Sequence, residues 1–151
     1  MPNPTASGLI TGERLARAVA AVTLGAIAVL HVLDLGDELE ESKLVGYGFI
    51  ALIAAALISA ALLITVPNFR VWGLVDLLVA GAIAAYVLSR TTGLPTDPFD
   101  IGNWNCVLGI ASLATETFVL AIATWRLQPH LPLRRTASEP SGAPVPDDAD
   151  L

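Results

Sequence analysis

The apolar residues of the chain form four continuous blocks instead of recurring along one face of amphipathic segments. The blocks cover Leu15–Leu33, Leu44–Val66, Val71–Ser89 and Trp104–Trp125. Each block has about 20 residues, the length that a helix needs to cross the hydrocarbon core of a bilayer. A helix also satisfies its own backbone hydrogen bonds in lipid. The pattern therefore predicts an all-α fold, an integral membrane four-helix bundle.

The segments between the blocks predict an up-down-up-down bundle in residues 1–126. Pro67 ends the second block and leaves a very short turn, whereas Gly93 and Pro95 favour a left-handed cap and a stop after the third. The tail, residues 127–151, is rich in proline and acidic residues, so we expect a disordered cytoplasmic tail. Small residues that recur at four-residue spacing predict close helix approach; they are Ala51, Ala55, Ser59, Gly81 and Ala85.

Basic residues are distributed unevenly between the two ends of the predicted helices. Only Lys43 and Arg90 lie in the loops 34–43 and 90–103, which hold many acidic residues. The positive-inside rule therefore predicts a plasma-membrane protein with both termini in the cytoplasm. No small-residue cleavage site follows the first block, so we expect a retained helix there and not a signal peptide. Six of the eight Lys and Arg lie at the other end: Arg14, Arg17, Arg70, Arg126, Arg134 and Arg135.

Composition supports a membrane protein and argues against disulfide bonding, CxxC sites and nucleic-acid binding. The chain is 54% hydrophobic and 15% charged, with a mean hydropathy of +0.67. A single cysteine, Cys106, excludes an intrachain disulfide and any CxxC motif. The net charge of −6 gives no reason to expect nucleic-acid binding.

Glu116 lies near the middle of the fourth block, where a carboxyl group is energetically costly. Ser112 precedes it by one turn on the same face. The sequence leaves two interpretations open: a carboxylate that carries protons or binds cations, or a neutral acid that fixes helix packing through hydrogen bonds. No basic residue shares the predicted depth of Glu116, so we expect no midplane salt bridge.

Asp76 and Arg90 are the next candidate functional residues. Asp76 lies one turn inside the third block, where we expect it to meet Arg70, Arg126 or interfacial water; a proton path shared with Glu116 is the alternative. Arg90 ends the same block at the opposite side. It either reaches the lipid headgroups or pairs with an acid of the outer loops and clamps them over the bundle. The candidate acids are Asp34, Asp97 and Asp100.

His31 is expected near the outer end of the first helix, with Asp34 three residues later. Imidazole and carboxylate groups together could hold a divalent metal, and Cys106 is predicted at a similar depth. However, a second intramembrane histidine is missing from the sequence. We therefore predict no metal site and no cofactor.

Three segments carry a resemblance: LHVLDLGDELEES (30–42), YVLSRTTGLP (86–95) and ASLATETFVL (111–120). They resemble a family of small four-helix membrane proteins of actinobacteria, over about residues 20–126. The resemblance implies a membrane location and draws attention to its histidine, arginine and glutamate, but it implies no reaction. A weaker similarity, in size and topology alone, is to DoxX-like proteins. The residues shared with the actinobacterial family would be His31, Arg90, Gly93, Pro95 and Glu116.

From these observations we expect a non-enzymatic accessory or interaction subunit. Its candidate partners are the lipid bilayer and either another membrane protein or further copies of the chain. The alternative is an oligomeric proton- or cation-handling protein that uses Glu116 and Asp76. An enzyme that uses His31, Arg90 and Cys106 ranks last, because the sequence holds no nucleophile–base or phosphate motif.

Overall fold

The computed structural model describes residues 4–95 and 100–128, with side chains from residue 12 onward. Within these residues the chain forms four α-helices and no β-strand, and all four helices are long and apolar enough to cross a membrane. The predicted helical class is therefore confirmed. The predicted tail lies, from residue 129 onward, outside the described residues. The helices are α1 (Pro4–Glu41), α2 (Lys43–Thr65), α3 (Arg70–Thr91) and α4 (Val107–Leu127).

Helix α1 continues well past the apolar block that predicted it. The block ends at Leu33, whereas α1 runs through the acidic segment to Glu41. That segment contains no proline, and Gly36 costs a helix only about 1 kcal/mol relative to alanine. The predicted loop 34–43 is consequently wrong: Ser42 alone joins the two helices, and its side chain accepts a hydrogen bond from the Val45 N–H at the start of α2.

The helices pack in a ring in which each one contacts the next and α4 returns to α1. Contacts at both ends show that neighbours run antiparallel. We name the two ends the Pro67 end, which holds the α2–α3 turn, and the Ser42 end, which holds the α1–α2 junction. The contacting pairs are Arg17–Val66 and Leu39–Gly46 for α1 and α2, Asp76–Thr124 and Tyr86–Gly109 for α3 and α4, and Glu13–Arg126 and His31–Glu116 for α1 and α4.

Apolar side chains fill the core and also cover the outside of the bundle. Trp72, Leu24 and Val75 are among the largest buried side chains. Outside, Val22 and Leu77 keep more than 70% of their surface exposed. Soluble monomers rarely expose apolar surface on this scale, whereas helices that face lipid require it. The surface and the four long helices together suggest a membrane protein.

Polar contacts centred on Glu13 tie three helices together at the Pro67 end. Glu13 Oε1 accepts hydrogen bonds from Arg17 Nε at 2.6 Å and Trp72 Nε1 at 3.1 Å, while Oε2 pairs with Arg126. The Arg17 guanidinium also donates to the carbonyl of Val66, 2.7 Å away at the end of α2. Terminal carbonyls have no donor within their own helix, so Arg17 caps α2.

Candidate functional site

His31 and Glu116 form a buried pair between α1 and α4. Nε2 of His31 lies 3.7 Å from Oε1 of Glu116, and that same oxygen accepts a hydrogen bond from Ser112 Oγ at 3.0 Å. Only 8% of His31 and 2% of Glu116 is exposed. The expectation that no basic residue shares the depth of Glu116 is therefore wrong, whereas Ser112 lies on the same face as Glu116, as its one-turn spacing indicated.

The ring orientation of His31 decides which nitrogen faces the carboxyl group. Nδ1 lies 2.9 Å from the carbonyl oxygen of Ile27, one turn earlier in α1. A carbonyl only accepts, so Nδ1 carries a proton and Nε2 of the neutral ring is an acceptor. The separation of Nε2 and Oε1 exceeds the roughly 2.7–3.2 Å of a hydrogen bond. If the two side chains moved slightly closer together, the imidazole and the carboxyl group could share one proton.

The length of α1 explains why this pair was missed. Helix α1 runs beside α2 from Arg17, which contacts the end of α2, to the junction at Ser42. His31 lies near the middle of this stretch of α1. The apolar block had placed His31 two residues from the end of its helix. The available signal was the absence of proline between Leu33 and the capping serine.

A cavity of about 630 Å³ lies among the four helices, in the half of the bundle nearer the Ser42 end. His31 and Glu116 are part of its wall. The small residues predicted to bring helices together instead line much of it, and a Cβ added at Gly81 would meet no atom within 4 Å. Ser59 alone of that set is buried in the core. The small side chains of α2 and α3 make room for a cavity; those that line it are Ala51, Ala55, Gly81 and Ala85.

Arg90 and Asp100 form an ion pair at the Ser42 end of this cavity. The Arg90 side chain is 7% exposed, and its guanidinium carbon lies 4.9 Å from the ring centre of Tyr86. The Arg90 carbonyl also accepts a hydrogen bond from the Gly102 N–H at 2.9 Å. The structure thus supports the clamp interpretation of Arg90, with Asp100 as the acid. Asp97, another candidate, lies outside the described residues.

The remaining sequence candidates are not all brought to this place. Asp34, three residues after His31 in α1, lines the cavity. Asp76 instead accepts a hydrogen bond from Thr124 Oγ1 at 2.7 Å, towards the Pro67 end, and Arg126 pairs with Glu13. Among the described residues Asp76 forms no ion pair with Arg70 or Arg126, and its contact with interfacial water, the other expectation, stays a prediction. Cys106 is half-buried just before α4 and is not among the cavity-lining residues.

No protein family, curated protein or solved structure matches the chain. The resemblance to the actinobacterial membrane proteins therefore stays a prediction. Within residues 4–95 and 100–128, no group of three or more His, Cys, Asp or Glu side chains is arranged to hold a metal ion. The site is a partly open, mainly apolar cavity with an imidazole–carboxyl pair in its wall and an ion pair at one end.

Proposed function

We propose that this protein is a non-enzymatic membrane protein that binds a small, largely apolar molecule in the cavity between its helices. The observation that carries the proposal is the cavity itself, whose volume of about 630 Å³ falls in the range of about 300–1,000 Å³ typical of ligand pockets. Its walls are mainly apolar, with a few polar groups. Binding sites for small molecules combine these two properties.

The proposal includes a location. We infer that the bundle lies in the plasma membrane with the Pro67 end towards the cytoplasm. The support is the charge distribution, since Arg14, Arg17, Arg70 and Arg126 belong to the Pro67 end and Lys43 and Arg90 to the opposite end. Both chain termini are then cytoplasmic. The accessory role, with a membrane protein or a second copy as partner, remains a prediction. A ligand-binding bundle could also fill that role.

The test is binding of a neutral apolar probe, radiolabelled triphenylphosphine oxide, to the protein in lipid nanodiscs. Empty nanodiscs of the same lipid give the background. We expect saturable binding, because the number of cavity sites is fixed by the amount of protein whereas partition into the lipid is not. The absence of saturable binding above background would refute the proposal.

Two matched substitutions on α3 locate the probe. Gly81→Phe places a ring into the cavity and should weaken binding at least about tenfold, equivalent to 1.4 kcal/mol. Ala84→Phe adds the same ring to an exposed position that does not line the cavity, and binding should persist. Equal loss in both variants would argue against this site.

Proton handling is the second candidate, and the His31–Glu116 pair favours it. An imidazole acceptor 3.7 Å from a buried carboxyl oxygen can exchange a proton with it after a small movement. Asp76, the second group in the sequence-based version, makes its described contact with Thr124 instead. Proton flux into liposomes that survives Glu116→Gln would remove this candidate.

A further inference from the structure

The charged groups around the cavity are predominantly acidic. Arg90 is its single Lys or Arg among the described lining residues, and it is already paired with Asp100. With that pair set aside, the titratable lining residues are three acids, Asp34, Glu38 and Glu116, and one imidazole, that of His31. A buried charge is tolerated when an opposite charge meets it. Among the described lining residues, an anion would therefore meet an arginine that already has an acid as its partner. A cation would meet carboxyl groups.

Glu116 has an oxygen available for such a contact. Both described contacts of its carboxyl group, from Ser112 and from His31, involve Oε1. The other oxygen, Oε2, takes part in neither contact, and Glu116, which is only 2% exposed, lines the cavity. A carboxylate in an apolar space is stabilised by an opposite charge, which a cationic ligand would supply at this oxygen.

Aromatic rings on the same wall suit the same class of ligand. Phe49 lines the cavity, and its ring centre lies 4.8 Å from that of His31 in an edge-to-face arrangement. Ring faces attract cations, most strongly where water is absent. The ring of Tyr86 already has a cation over it, that of Arg90. Phe49, Glu116 and Asp34 together present π and carboxyl groups to one apolar space.

We propose that the cavity selects lipophilic organic cations, such as quaternary ammonium or phosphonium compounds, with Glu116 as the group that meets their charge. This inference rests on the proposed function, because it specifies the ligand of the same cavity. A weakly hydrated cation with apolar substituents gains from the apolar walls and loses little on leaving water. A small, strongly hydrated inorganic cation would lose its hydration without enough oxygens to replace it.

Cation binding competes with protonation of Glu116. When the carboxyl group is protonated, the ligand meets a dipole instead of a charge, so binding weakens as the pH falls; protonation of His31 acts in the same direction. The groups that share the cavity with Glu116 are His31, Asp34 and Glu38 from α1, Tyr86 and Arg90 from α3, and Asp100 from the following loop, while α2 contributes no charged residue to the described lining.

The test compares two probes of the same shape and opposite charge, tetraphenylphosphonium and tetraphenylborate, in separate measurements on the wild-type protein in phosphatidylcholine nanodiscs. We expect the cation to bind at least about tenfold more tightly than the anion, a difference of 1.4 kcal/mol. Its affinity should fall as the pH is lowered from about 8 to about 4, because imidazole groups and then carboxyl groups take up protons over this range. Equal affinity, or preference for the anion, would overturn the inference without any mutation.

Substitutions then assign the charge contact. Glu116→Gln should weaken tetraphenylphosphonium binding at least about tenfold and flatten its pH dependence, while binding of triphenylphosphine oxide changes less than about twofold. Glu41→Gln removes an exposed acid of α1 that does not line the cavity and should change neither probe. Unchanged cation affinity in Glu116→Gln contradicts the assignment.

The two probes also distinguish the inference from the proposed function. If the neutral probe binds and the cation shows no advantage, the inference fails and the proposed function stands. If neither probe binds, the proposed function fails.

Discussion

The ring of Tyr86 lies against Gly109 so closely that a Cβ atom at Gly109 would be 2.7 Å from Tyr86 Cε2. This contact joins α3 and α4 beside the cavity. Gly109→Ala gains about 1 kcal/mol of helix propensity, but we expect a net loss of stability because overpacking costs about 1–3 kcal/mol. Unfolding in mixed micelles titrated with a denaturing detergent measures the difference.

Gly81 gives the matched control for that prediction. It is also helical, yet a Cβ there would meet no atom within 4 Å. Gly81→Ala should therefore be neutral or stabilising by up to about 1 kcal/mol. Equal behaviour of the two alanine variants would show that Tyr86 does not press on Gly109.

The Arg90–Asp100 pair should behave as a buried ion pair. Asp100→Ala leaves a guanidinium that is 7% exposed without its acid. We expect a loss of about 3 kcal/mol, the lower part of the range for buried pairs, because Asp100 itself keeps 19% of its side chain exposed. Arg90→Met combined with Asp100→Leu should recover most of that loss, since no charge remains buried. Additive losses would contradict the pairing.

His31 and Glu116 should be energetically coupled, although they lie on the first and last helices. A double-mutant cycle with His31→Phe and Glu116→Gln removes the contact from each side while keeping similar volumes. We expect a coupling energy of about 0.6–1.7 kcal/mol, the size found for polar contacts between membrane helices. The measurement is the same detergent titration, and coupling indistinguishable from zero would mean that the 3.7 Å approach contributes nothing to stability.

Cys106 allows the predicted orientation to be tested without an added tag. It is the single cysteine, half-buried, and it precedes α4 at the Ser42 end. A membrane-impermeant maleimide should label it in intact cells. In a Cys106→Ser background, Asn68→Cys at the Pro67 end should be labelled only after lysis. The reverse pattern would place the termini outside.

The positions of the helices were largely readable from the sequence. Helices α2, α3 and α4 begin and end within three residues of their apolar blocks, because lipid-spanning length and apolarity are properties of one segment at a time. The left-handed cap at Gly93 was also predicted correctly: its φ is +77°, and its N–H donates to Leu88.

Contacts between helices were harder to predict, because they depend on how each helix is shifted and rotated relative to its neighbour. The apolar block ends eight residues before α1 does. His31 was therefore predicted near a helix end, although it lies near the middle of the stretch of α1 that runs beside α2. The small residues of α2 and α3 have the spacing of a close contact, and nothing in that spacing distinguishes a tight interface from a cavity wall. The partner of Arg90 was easier to predict, since the loop that follows it holds two acids, Asp97 and Asp100.

The unequal lengths of the helices also determine what the cytoplasmic side displays in the proposed orientation. Glu13 meets the last turn of α4 and the first turn of α3, so the part of α1 that begins at Pro4 continues beyond its neighbours. Nine helical residues at 1.5 Å each extend about 13 Å, which exceeds the thickness of roughly 5–8 Å of the headgroup layer. In the proposed orientation, this segment would therefore hold a binding partner or a fused reporter at its amino-terminal end beyond the headgroup layer.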